Sequence, residues 1–262
     1  MAVDILTTSD PHQKVLKSHE YSEKWFNSKA KNELIKIGSA TPPKQPSRPI
    51  KPVLLSPRNM PKRKTGHEKG RIALIHAIAH IELNAVDLHW DIIARFSHIK
   101  MPNGFYDDWV KAAQEESKHF SLLCNRLESM GSFYGELPAH AGMWSSAEET
   151  SEDFLGRLAI VPMVLEARGL DVTPGMIKLF KNINDMETVN TLETIYSEEV
   201  GHVAFGSKWF HFLCGRHDKD PKKMFHELVE KYFKSSLKPP FNDEKRAEAG
   251  IPMDFYWPIA VG

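Results

Sequence analysis

Two stretches of this 262-residue chain carry one pattern. Residues 114–120 read QEESKHF and residues 196–202 read YSEEVGH, so Glu116-x-x-His119 recurs 83 residues later as Glu199-x-x-His202. On a helix, positions i and i+3 share a face, so the carboxylate and imidazole of each pair can reach one metal ion. One such pair is weak evidence, because Glu and His are common on solvated faces. Two pairs on two long helices raise a sharper question: do other helices supply carboxylates facing them?

Two carboxylates fit. Glu82 shares its helix face with Ile75, Ile78, Ala79, Ala85 and Val86. Glu166 shares its own with Ala159, Pro162, Met163, Gly169 and Leu170. A carboxylate on an apolar face is costly unless it is paired or binds a metal. Taken alone, each could equally be half of a buried salt bridge. The spacing separates the readings: Glu82 precedes Glu116 by 34 residues, and Glu166 precedes Glu199 by 33. The local sequences ELNAVD and EARGLD also rhyme, each placing an aspartate (Asp87, Asp171) five residues after the glutamate. The chain therefore repeats a two-helix unit.

Helical rise tests whether the carboxylates come level. From Glu82 to the end of the first helix near Phe96 is about 21 Å, and from residue 104 back to Glu116 about 18 Å. An antiparallel hairpin then sets Glu82 beside Glu116. In the second unit the arms match only if the helix continues beyond Thr173-Pro174, kinked by the proline, to about Asn184. The arms are then about 27 and 22 Å. The segment NDME offers a capping box there, with Asn184 as N-cap and Glu187 at the third position.

One Glu from each of two helices, with Glu-x-x-His from each of the other two, is the ligand pattern of di-iron carboxylate sites in ferritin-like bundles. The predicted ligands are Glu82, Glu116, His119, Glu166, Glu199 and His202. Hard oxygen with borderline nitrogen suits iron or manganese rather than a thiolate-loving ion. Two iron ions are the expected cofactor, with manganese as the alternative. Candidates for supporting contacts behind the ligands are His80, Asp87, Glu115, Asp171, Tyr196 and Glu198. For each of them an ordinary helix role is the commoner case.

The elements that must position these residues can be read around them. Residues 11–37 have a helical pattern that starts at Pro11 after Asp10. Residues 38–66 then hold seven prolines, and between Leu34 and His67 stand eight Lys/Arg and no Asp or Glu. That stretch reads as an extended basic strap over the domain. Its alternative role is contact with an anionic partner such as nucleic acid, a reading weakened by the lack of aromatic residues to stack bases. Helical patterns follow at 68–96, at 104–130 (ended by Gly131), from near 151, and up to about 214 (ended by Gly215). Residues 131–150 read as an irregular connection. A short helix near 220–236 precedes an irregular, aromatic-rich tail. No strand alternation is long enough to trust, so the class is all-α. The predicted organisation is an N-terminal helix and strap (1–66), a four-helix bundle (67–216), and a C-terminal helix and tail packed on it (217–262).

Composition narrows the function classes. Lys+Arg and Asp+Glu are both 34, so no global charge bias points to nucleic acid or membrane. The two cysteines, Cys124 and Cys214, form no CxxC motif and no disulfide framework. The N-terminal MAVDILTTSD lacks the form of a signal peptide, and no run reaches 18 apolar residues. The expectation is a cytoplasmic protein without a membrane span, with a homodimer as a candidate state.

At this point the residues resemble a family. PSRPIKPVLLSPRNMPKRKTGHEKGRIALIHAIAHIELNAVDLHWDIIARF, EESKHF, LEARGLD and IYSEEVGHVAFGSKWF are similar to the ferritin-like family known as domain of unknown function 455, over roughly residues 10–245. That family looks related to the bacterial di-iron tRNA hydroxylase and, more distantly, to rubrerythrins and ferritins. The resemblance implies the fold and the metal site, and supplies no reaction. The leading expectation is an O2-dependent oxidase or oxygenase acting on an unidentified small molecule, with tRNA as a minority alternative, and using an electron donor if it is an oxygenase. Met163, Phe205 and Trp209 would favour an apolar substrate. The competing readings are a manganese catalase or ferroxidase, and a non-catalytic binding protein whose metals only hold the bundle together. A rubrerythrin would carry cysteine pairs for a further iron, which this chain lacks.

Overall fold

Every regular element among the described residues is helical, and strand-like pairing is confined to two isolated bridges, Leu54 with Ala139 and Leu237 with Ala260. The computed structural model describes residues 1–260 except 32, 34, 40 and 62. The chain divides into two units, Met1–Trp144 and Ser145–Gly262. No helix among the described residues is long and apolar enough to cross a membrane.

The first unit opens with a short helix, α1 (Ala2–Leu6), whose Ile5 and Leu6 are fully buried. Helix α2 (Pro11–Ala30) starts where expected: the Asp10 side chain accepts the Gln13 N–H at 2.8 Å, and Pro11 takes the first position. It stops short of the predicted residue 37. Its last buried residue is Trp25, and Lys31 ends the helix, its N–H bonded to the Asn27 carbonyl. Residues 32 and 34 of that predicted helix, and 40 and 62 of the predicted strap, lie outside the described residues. The strap otherwise carries only a 3-10 turn at Pro57–Asn59. Helices α3 (Glu68–Arg95) and α4 (Asn103–Ser129) form a closely packed hairpin, with α2 lying against α4. Gly131 closes α4 at φ +73°, a conformation glycine takes without a Cβ clash, and the Ser132 N–H returns to the Leu127 carbonyl at 2.9 Å.

The stretch 131–150, read as irregular from sequence, holds α5 (Gly142–Glu149). Its apolar signal is only Trp144 and Ala147, both buried and three residues apart, too short a pattern to register among prolines and glycines. In the second unit α6 (Phe154–Ile160) is capped by Asp153, which accepts the Gly156 N–H at 2.8 Å. A π-helical segment follows at Val161–Glu166, then α7 (Ala167–Asn182), with Pro174 inside it as the arm lengths require. Pro162 has no N–H for the Leu158 carbonyl, which interrupts the α register where the π segment begins. Pro174 likewise leaves the Leu170 carbonyl without its helical donor, and the Asn242 side-chain amide supplies one at 3.2 Å.

Helix α8 (Met186–Arg216) packs along α7 and the π segment. Its cap is Asp185, which accepts the Thr188 N–H at 3.1 Å and the Thr188 hydroxyl at 2.8 Å. Asn184, expected in that role, instead turns left-handed (φ +57°) and ends α7, a conformation its short amide tolerates. Helix α8 also runs through Gly215 to Arg216. The C-terminal region adds α9 (Pro221–Tyr232), α10 (Asp243–Glu248) and α11 (Met253–Tyr256), so the tail is more ordered than its composition suggested. The protein is all-α, and each unit holds one helical hairpin of the kind a ferritin-like bundle requires.

The hairpin of the second unit is held close by Gly206 on α8. A Cβ there would collide with the Pro162 ring, whereas one at Gly201 would meet nothing. Gly206→Ala should therefore lower stability by about 1–3 kcal/mol, while Gly201→Ala is neutral or stabilising by up to about 1 kcal/mol. Urea unfolding of the two variants checks the difference.

Candidate metal centre

In the first unit, α3 presents Ile75, Ile78, Ala79, Glu82, Ala85, Val86 and His89 at helical spacing, and every one is buried. Helix α4 answers with Trp109, Ala112, Ala113, Glu116, His119 and Phe120, also buried. The equal arms of the hairpin bring the two carboxylates level. Glu82 is 4% exposed and Glu116 fully buried, and His119 stands between them. Its Nδ1 lies 3.2 Å from Glu82 Oε2 and 3.2 Å from Glu116 Oε2. One ligand atom from each of the three residues falls within 4.8 Å of the others.

A neutral imidazole carries one hydrogen, so Nδ1–H cannot serve both carboxylate oxygens at once, whereas a cation can serve all three donors together. Two carboxylates held this close in an apolar interior are costly unless positive charge is added. The donor set is oxygen and imidazole nitrogen, with no thiolate, which fits iron or manganese. The nearest cysteine chemistry is closed: burial pushes the Cys124 thiol up to about 12 and Cys214 up to about 11, so both stay protonated.

The structure also adds a residue that the sequence reading passed over. His89 Nε2 lies 3.5 Å from Glu116 Oε1, its ring stacked on Trp109 with centroids 5.3 Å apart. It follows Glu82 by seven residues, two helical turns, and that spacing was the available signal.

In the second unit the predicted ligand residues lie on two elements. Glu166 is the last residue of the π segment and is buried. Glu199 and His202 lie on α8, with His202 Nδ1 3.7 Å from Glu199 Oε1 and the imidazole fully buried. Glu166 belongs to none of the groups of three or more side chains whose ligand atoms converge.

The two aspartates that rhyme in sequence have matching fates. Asp87 receives Lys14 Nζ of α2 at 2.6 Å, and both side chains are buried. Asp171 receives Arg246 of α10 through Nε at 2.8 Å and Nη2 at 2.7 Å, again buried. Each aspartate thus anchors a terminal helix to its own hairpin. His80, on a different face of α3 from Glu82, bonds through Nδ1 to the Tyr134 hydroxyl at 2.8 Å, and burial pushes its pKa down to about 3. Tyr196 accepts the Asn242 amide at 2.7 Å. Glu115 lies 3.7 Å from Lys111 Nζ on the outer side of α4, and Glu198 is half-buried.

Removing one partner of a buried pair strands the other charge. Lys14→Met should cost about 3–5 kcal/mol in chemical unfolding, and Arg246→Met less, because Arg168 at 3.4 Å and the Asn242 N–H at 2.9 Å stay on Asp171. Lys14→Met combined with Asp87→Leu should recover most of its loss.

The family described as Protein of unknown function (DUF455) matches residues 7–257. A protein of Haemophilus influenzae, described as "Uncharacterized protein", is 42% identical over 208 residues, which are 78% of this chain and 72% of that one. No solved structure matches. With a match across nearly its whole length, the chain belongs to the family described as Protein of unknown function (DUF455).

Proposed function

We propose that the chain is a di-metal carboxylate protein in which Glu82, Glu116 and His119 supply one half of the centre and Glu166, Glu199 and His202 the other. The metal is iron, and the activity is O2-dependent oxidation of an organic substrate that draws on an external electron donor. The observation that carries this reading is the buried convergence of two carboxylates on His119, at 3.2 Å each. The sequence repeat supports a matching contribution from the second hairpin. When bound, two such ions supply reversible electron transfer and a binding place for O2.

The chain's own residues do the rest. His89, stacked on Trp109, sets its Nε2 3.5 Å from Glu116 Oε1 and limits where that carboxylate can lie. The Asp87–Lys14 pair clamps α3 five residues beyond Glu82, and the Asp171–Arg246 pair clamps α7 five residues beyond Glu166. The aliphatic and aromatic side chains around the ligands exclude water, which favours a small apolar substrate; tRNA is the less supported choice. The same oxygen and nitrogen donors also suit manganese, and peroxide disposal would then be the chemistry.

Metal analysis of protein purified without added metal, followed by anaerobic Fe(II) loading, tests the reading. We expect about two irons per chain, a rise in thermal midpoint on loading, and O2 uptake by the reduced protein. Glu116→Ala should lose both the bound iron and the thermal shift. Manganese at that stoichiometry with peroxide turnover would favour the second chemistry, and no bound metal in the unaltered chain would overturn the proposal.

A further inference from the structure

A second cavity lies within the first unit, away from the ligand face of α3. It has a volume of about 70 Å³ and sits under the strap, between Met60 and Arg63, α3 and residues 139–143. Met60, Ala77 and Met143 give it apolar walls, and Arg63, His80 and His140 line it with polar groups.

Hydrogen bonding fixes what those groups present. The buried Tyr134 hydroxyl keeps its proton, because burial raises its pKa well above the usual range. Its oxygen lies 2.8 Å from His80 Nδ1, and with the hydroxyl as donor the ring hydrogen sits on His80 Nε2. That Nε2 is buried and outside standard hydrogen-bond geometry, with the His140 backbone close enough to act on the ring, and His80 is 6% exposed. His140 takes the Gly142 N–H on Nδ1 at 3.2 Å, so its Nε2 likewise carries a hydrogen.

Charge points the same way. Arg63 makes no ion pair among the described residues. Arg48, beside the adjoining cleft that shares His80 and Asn84, donates to the neutral Asn84 Oδ1 at 2.9 Å. The neighbouring carboxylates are engaged elsewhere: Asp87 holds Lys14, and Glu136 accepts the Ser132 hydroxyl at 2.5 Å. An exposed guanidinium and two imidazoles thus line one small cavity, with no ion pair to Arg63 among the described residues.

We propose that this cavity binds a phosphate group, held by Arg63 and by the Nε2–H groups of His80 and His140. The group is either the free ion or the phosphate of a larger molecule whose remainder leaves past Arg63. Arg63 also lines an open groove with Lys64, His67, Glu68 and Lys69, so the exit carries a basic excess. The site needs no metal and stands independently of the function proposed above.

Calorimetric titration of the full chain with inorganic phosphate, and separately with adenosine monophosphate, tests it in low-chloride buffer. Wild-type protein should bind phosphate saturably. Arg63→Gln and His80→Gln should each weaken binding by about tenfold or more, while Arg58→Gln, on the strap but off the cavity, should leave it unchanged. Should His80→Gln unfold, the exposed Arg63→Gln variant decides alone. Tighter binding of the nucleotide assigns the cavity to a head group, and equal binding assigns it to the free ion. No saturable binding by the wild type, or unchanged affinity in Arg63→Gln, overturns the proposal.

Discussion

Carboxylates inside an apolar hairpin set the terms for this protein. Glu82 and Glu116 are removed from water by the same packing that joins α3 to α4, and neither could stay ionised there without positive charge nearby. The chain answers that constraint in two ways. The aspartates are met by cations of the chain itself, Lys14 and Arg246. Glu82 and Glu116 converge on His119, an arrangement that could hold a metal ion. Helix lengths, the position of the turns and the close approach at Gly206 all follow from bringing these groups level.

Much of this was legible because two periodicities reinforced each other. The helical face around Glu82 and Glu166 showed where a carboxylate would be buried, and the spacing of 34 residues placed Glu82 beside Glu116. Arm length then required a helix through Pro174, against the usual reading of proline as a breaker. Asn242 explains why the helix survives: it supplies the donor that the proline removed. No local pattern could reveal that, since the two residues are 68 positions apart in sequence.

The remaining departures have similar causes. His89 was hidden because a histidine on an apolar stripe is usually a core residue, and only its distance to Glu116 gives it another role. The Asn184 and Asp185 exchange turned on which of two adjacent cap-forming residues would take the left-handed position. The π segment had a visible cause in Pro162, but the extra residue it accommodates alters helix phase just before Glu166. A reading at constant 3.6-residue period cannot follow that shift.

The matching aspartate clamps carry one more consequence. The cation for the first hairpin comes from α2, near the start of the chain, and the cation for the second comes from α10, near its end. A fragment trimmed to residues 67–216 would keep every proposed metal ligand yet leave the buried Asp87 without Lys14 and Asp171 with only the partly exposed Arg168, at 3.4 Å, in place of its buried Arg246 pair. The ligand-bearing core is therefore not a detachable module, and the two terminal segments act as keystones rather than appendages.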